Sequence, residues 1–134
     1  MGHTMSNKIQ LTGRYDGLNN SYMSPISVEG ITFPSVSHAL KAAQISDRSA
    51  KIAISKAATL AAADKIAKAS YTRPNWEQVK YATLHQLVTL KFQSHEDLAD
   101  ILLSTENKPL GNGQLGKILM KVRSELLRDQ PKIS

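Results

Sequence analysis

Cysteine is absent from this chain, which excludes disulfides and thiolate metal sites and suits a reducing compartment. Aromatic residues are scarce, at 5%. A binder of single-stranded nucleic acid interleaves aromatic stacking platforms with its positive charges, and here such platforms are few. Long apolar runs are missing as well: none reaches the roughly 18 residues that a membrane helix needs. Met1 to Asn7 lacks the apolar core of a signal peptide, so the expected location is the cytoplasm. Acidic residues are in deficit, with 11 Asp and Glu against 17 Lys and Arg, a net charge of +6. That surplus favours an anionic partner, whether nucleotide, nucleic acid or acidic protein surface. The basic residues are scattered through several segments, so a solvated surface is the main expectation and nucleic-acid binding is not favoured.

What is present is ordinary globular composition, 41% hydrophobic and 21% charged, in 134 residues. That is enough chain to bury one core. Residues 1–7 read as a flexible N-terminus or a cloning remnant, with Met5 an alternative native start, and residues 8–134 as a single domain. Lys8-Ile9-Gln10-Leu11 alternates like a short strand, and Asp16 to Tyr22 is rich in turn formers. Ile26-Ser27-Val28 and Ile31-Thr32-Phe33 flank Glu29-Gly30, the pattern of a tight hairpin with Gly30 supplying positive φ. A helix is expected over about 36–46, and one or two alanine-rich helices over 49–70. The longest helix starts at Pro74-Asn75-Trp76, where Asn75 and Gln78 form a capping-box pattern. Its apolar stripe, Trp76 included, reads as core. Ser94 to Asp97 opens a helix ending near Ser104, and a last helix spans about 114–128. The fold class expected is α+β: mainly helical and compact, with a small N-terminal hairpin.

The stretch that organises the rest is Phe33 to Gln44. Pro34 stops a strand, and Ser35 or Ser37 can cap the helix that follows. On that helix Ser37, His38, Lys41 and Gln44 or Ile45 are near enough in spacing to share a face. A histidine, an amine and an amide near a helix N-terminus suit an anionic or carbonyl-bearing ligand, because the dipole is positive there.

Other motifs carry less. Gly111-Asn112-Gly113-Gln114-Leu115-Gly116 precedes a helix but lacks the Gly-Lys-Ser/Thr ending of a phosphate loop. His3, His38, His85 and His95 show no ligand spacing, so no metal is expected, and no cofactor. No nucleophilic triad can be picked out.

Several segments in order resemble the NADAR family, also called YbiA-like: Leu18 to Tyr22, Ile26 to Ala42, Arg73-Pro74-Asn75-Trp76, Lys91-Phe92, Leu102 to Thr105, and Leu115 to Arg123. The resemblance covers about Leu18 to Leu127. It implies a compact, mainly helical α+β fold and N-glycosidic bond cleavage on ribosylated riboflavin-pathway intermediates or on ADP-ribose attached to guanine. It also implies acidic groups that stabilise an oxocarbenium-like sugar and activate water. The departures fall where that chemistry belongs. Ser37 stands where the family has a glutamate, and Lys41-Ala42-Ala43-Gln44 exchanges the lysine and glutamine of its Gln-Ala-x-Lys segment. Between Thr105 and Leu115 an insert bearing a glutamate, an aspartate and a Trp-Gly pair is missing, and Gly113 replaces an asparagine.

The resemblance therefore implies a shortened, degenerate member. It is expected to be non-catalytic and to bind an ADP-ribose-like nucleotide or a protein partner, a host protein in the host cytoplasm if the chain is phage-encoded. The expected ligand-binding residues are Asn19, Asn20, Ser37, His38, Lys41, Gln44, Asn112 and Gly113. One alternative is a surviving N-glycosidase with Lys41 and His38 as catalytic residues and Asp16, Glu29 or Glu106 as the acid. The other is a structural, virion or nucleic-acid-binding role.

Overall fold

The computed structural model describes residues 8–111 and 113–129. The reading of residues 1–7 and the assignment of Asn112 to the site therefore lie outside the described residues. The architecture is the α+β one expected from sequence: mostly helical, with one two-stranded antiparallel sheet.

A short 3-10 helix at Gly13–Leu18 occupies the turn-rich stretch. The alternating segment before it is no strand, because it contributes only one parallel bridge, Ile9 to Leu110. The hairpin is β1 (Ile26–Val28) and β2 (Ile31–Phe33), in register Ile26↔Phe33 and Val28↔Ile31. Alternation buries Ile26, Ile31 and Phe33, while Ser27 and Thr32 share an outward hydroxyl hydrogen bond of 3.0 Å. Both turn residues take positive φ, Glu29 at 54° and Gly30 at 80°, as a two-residue hairpin of this hand requires.

Helix α1 (Val36–Ala43) begins directly after the sheet. Of the two candidate caps, Ser35 serves: its hydroxyl accepts from His38 N–H, leaving Ser37 free to face outward. Helices α2 (Arg48–Ser55) and α3 (Leu60–Lys68) divide the alanine-rich stretch, capped by Asp47 and Thr59. Their small residues let both pack against α1. Helix α4 (Trp76–Ser94), the longest, crosses α1 and carries Leu84, Leu87, Val88 and Phe92 into the core. Helices α5 (Glu96–Ser104) and α6 (Gly113–Asp129) close the far side with Leu98, Leu102, Ile118, Leu119 and Val122. Each such side chain contributes roughly 1.5–3 kcal/mol through burial.

One capping expectation fails. Asn75 occupies the N-cap position of α4 but makes no side-chain cap bond. Its Oδ1 instead accepts from Arg73 Nε at 3.2 Å. The same arginine donates Nη1 to Ala43 O at 3.3 Å, and its backbone N–H goes to Gln44 O at 2.9 Å. Arg73 thus satisfies carbonyls left over at the C-terminus of α1, where a cation is favoured. That bolt sets where Trp76 lies relative to α1.

Candidate functional site

Helix periodicity on α1 decides which residues reach solvent. Ser37, Leu40, Lys41 and Gln44 fall at i, i+3, i+4 and i+7 and line one wall of a pocket of about 370 Å³. Leu60 at the start of α3 adds a second wall, Trp76, Lys80 and Leu84 of α4 a third, and Gln114 of α6 a fourth. His38 and Ile45 turn to the opposite side of α1 with Val36, Ala39 and Ala42, all fully or nearly fully buried. The face expected from sequence was therefore partly misassigned: one residue along a helix is a rotation of about 100°.

His38 has no exposed surface. Its Nε2 lies 3.2 Å from Ala57 O, and a carbonyl only accepts, so Nε2 carries the proton. Nδ1 then accepts from Ser35 Oγ at 2.7 Å. Both ring nitrogens are spent on tying the start of α1 to the end of α2, and the structure does not bring His38 into the pocket. Ser35→Ala would remove the cap and the hydroxyl donor to His38 together. The expected cost is about 2 kcal/mol, measured by chemical denaturation.

Asn19 and Asn20 also stand behind the site. Asn19 Nδ2 donates to Leu11 O at 2.7 Å, and its carbonyl accepts from Lys91 Nζ at 2.8 Å. Asn20 O accepts from Ser37 N–H at 3.0 Å, which fixes the pocket end of α1. Gly113 begins α6 at φ 66° but does not line the pocket. Of the residues nominated from sequence, Ser37, Lys41 and Gln44 are brought together.

The charges at the pocket were less legible. Lys41 Nζ pairs with Asp64 Oδ1 at 3.2 Å, and Lys68 holds Asp64 Oδ2 at 2.9 Å. Hydrogen bonds from Lys68 and then Lys41 hold the Asp64 carboxyl below its ordinary value. Lys80 pairs with Glu77 at 3.2 Å, one turn away on the same helix. No carboxylate lines the pocket among the described residues, and Asp16, Glu29 and Glu106 are not part of its wall. Glu29 instead pairs with Lys51 at 3.3 Å. Sequence reasoning missed Asp64 and Lys80, because a lysine-rich helix face looks the same whether solvated or turned to a pocket. It placed Trp76 in the core. The indole is buried, yet it stands apart from the main apolar cluster and faces the pocket. Its position at the first turn of α4, ahead of the helix's core contacts, was the available signal.

Chemically, the pocket offers two ammonium groups, two amides, a hydroxyl and an aromatic face. It can hold an anionic ligand with a planar ring. No group of three or more His, Asp or Glu side chains among the described residues is arranged to hold a metal.

The fold and this pocket define a class. The NADAR domain model matches residues 5–112, and the chain belongs to the NADAR domain family. Among individual proteins, it is similar to the N-glycosidase YbiA of Shigella flexneri, 27% identical over 145 aligned positions that cover 94% of this chain and 91% of that protein. It is 26% identical to the N-glycosidase YbiA of Escherichia coli K12, with the same coverage. The NMR structure of the E. coli protein YbiA matches with a TM-score of 0.79 at 25% identity, covering 95% of this chain and 89% of that one. The aligned length exceeds the 134 residues of this chain, so the relatives carry residues that it does not have.

Proposed function

We propose that this chain binds an ADP-ribose-like nucleotide in the α1–α4 pocket and cleaves its N-glycosidic bond slowly or not at all. The observation that carries the reading is the pocket's lining: Lys41 and Lys80 for phosphate, Trp76 for the base, and no carboxylate in the wall among the described residues. Glycosidic cleavage needs an acid or carboxylate against the sugar, each proton-transfer role contributing about 10²–10⁴-fold. Ser37, at the pocket wall, accepts and donates hydrogen bonds but has no negative charge to give an oxocarbenium ion.

Calorimetric titration with ADP-ribose, with chromatography of the same samples, tests this. Wild type should retain the nucleotide unchanged. Lys41→Ala should weaken binding roughly 10- to 100-fold by loss of a charge-assisted contact. Trp76→Ala should do the same through lost stacking, about 1–3 kcal/mol. Absence of binding, or identical affinity in both variants, would refute the proposal.

One observation favours a second reading, retained N-glycosidase activity. Asp64 is held ionised as the partner of Lys41, which lines the pocket. In that case ribose-bearing products appear with wild type and vanish in Asp64→Asn, while the nucleotide still binds.

A further inference from the structure

A second cavity lies on the other side of α1 from the nucleotide pocket. Its volume is about 170 Å³; Val28, Phe33, Ala39, Ala42 and Leu87 give it an apolar side, and Glu29, Lys51, Arg73, Thr83 and Gln86 give it a polar one. Polar groups gather at the rim, and several have no protein partner among the described residues. Arg73 uses Nε on Asn75 Oδ1 and Nη1 on Ala43 O, leaving its second terminal nitrogen without a hydrogen bond among the described residues. No carboxylate pairs with it in any described ion pair. The Thr83 hydroxyl and the Gln86 amide, one turn apart on α4, are also unbonded there. Lys51 also lines the cavity, its side chain mostly buried and its ammonium bonded at 3.3 Å to the carboxylate of the far more exposed Glu29.

We propose that this cavity is a binding site for a small monocarboxylate with a planar or branched apolar body. The body lies on the apolar side, and the carboxylate takes the unused edge of the Arg73 guanidinium with help from Thr83 and Gln86. An uncompensated guanidinium beside two idle neutral donors is the arrangement that recognises a carboxylate. Lys51 and Glu29 neutralise one another in the lining, so Arg73 supplies the site's net positive charge. The site does not depend on the nucleotide reading, since none of its lining residues is shared with the first pocket.

Occupancy should nonetheless be felt across α1. Arg73 holds Ala43 O and Gln44 O on one side, and its own carbonyl accepts from Trp76 N–H at 3.1 Å on the other. Gln44 and Trp76 both line the nucleotide pocket. A carboxylate drawing the guanidinium towards itself therefore loads the bolt that sets that pocket's width.

The test is a titration of the full chain with benzoate, followed by amide chemical shifts and by the fluorescence of Trp76, the sole tryptophan. A ligand of this size binds with a Kd on the order of 1 mM. Saturable shifts are expected at Ala42, Ala43, Gln86 and Leu87, with a smaller change at Trp76. Benzamide, which lacks the charge, and inorganic phosphate, which lacks the apolar body, should each bind at least about tenfold more weakly. Gln86→Glu places a like charge at an exposed rim position where folding is undisturbed, and should weaken benzoate at least about tenfold. The absence of saturable shifts, benzamide binding equal to benzoate, or benzoate binding unaffected by Gln86→Glu would overturn the proposal. So would shifts centred on Ser37 and Lys41.

Discussion

Gly116→Ala is expected to destabilise the protein by about 3 kcal/mol or more, at the upper end of what overpacking costs. Gly116 lies one turn into α6, and a β-carbon there would press into the backbone carbonyl of Leu110. That carbonyl cannot swing aside as a flexible side chain would. Leu110 is buried, and its neighbours are locked to the N-terminal segment by Ile9 N–H to Pro109 O and Gly111 N–H to Ile9 O, both 2.8 Å. Gly17 is an instructive control. A β-carbon there would meet Leu98 Cδ2 at 2.7 Å, the far end of a side chain that can rotate. Gly17→Ala should therefore cost about 1 kcal/mol, within the ordinary range for a substitution. Urea denaturation of the two variants checks the contrast. Equal costs would show that the Leu110 segment yields easily.

The second large effect is a stability that rises with pH. Lys91 has no exposed surface, donates to Asn19 O at 2.8 Å, and appears in no ion pair among the described residues. Burial alone lowers its pKa from 10.5 to about 8. Between those values the unfolded chain keeps a proton that the folded chain has released. Stability must then increase as pH climbs from about 8 to about 10.5, and the Lys91 contribution must be flat below that window. The neutral amine still donates to Asn19 O, although the bond loses its charge assistance and the contact with the Phe92 ring, 5.2 Å from its centroid, loses its cation. The gain is bounded by about 3 kcal/mol. Lys91→Met should abolish it, so the difference between wild type and variant isolates this group from the other titrating residues. A difference that stays constant across the window would refute the assignment.

How much of this was legible beforehand depended on whether the signal was local. The hairpin was visible because Glu29-Gly30 sits between two alternating triplets, and all three features lie within eight residues. The α1 start was visible for the same reason, and so were Lys41 and Gln44 as a ligand-facing pair. Trp76 and Lys80 were not, because their orientation depends on Arg73 reaching 30 residues back to Ala43. Asp64 meets Lys41 across 23 residues, and no spacing rule encodes such a meeting. His38 was placed by helical spacing beside Ser37 and Lys41, but its real partner, Ala57 O, is a backbone atom with no sequence signature.

The bridge between Ile9 and Leu110 bears on the order in which this chain assembles. Helices α1, α2 and α3 meet near neighbours, and they can condense as soon as that stretch collapses. The Ile9 contact instead closes a loop on the order of 100 residues, whose closure entropy must be met before any reward from the pairing. The Leu110 carbonyl that rests on Gly116 belongs to this same late-closing clasp. Alanine at position 116 should therefore leave the folding rate nearly unchanged and appear chiefly as faster unfolding.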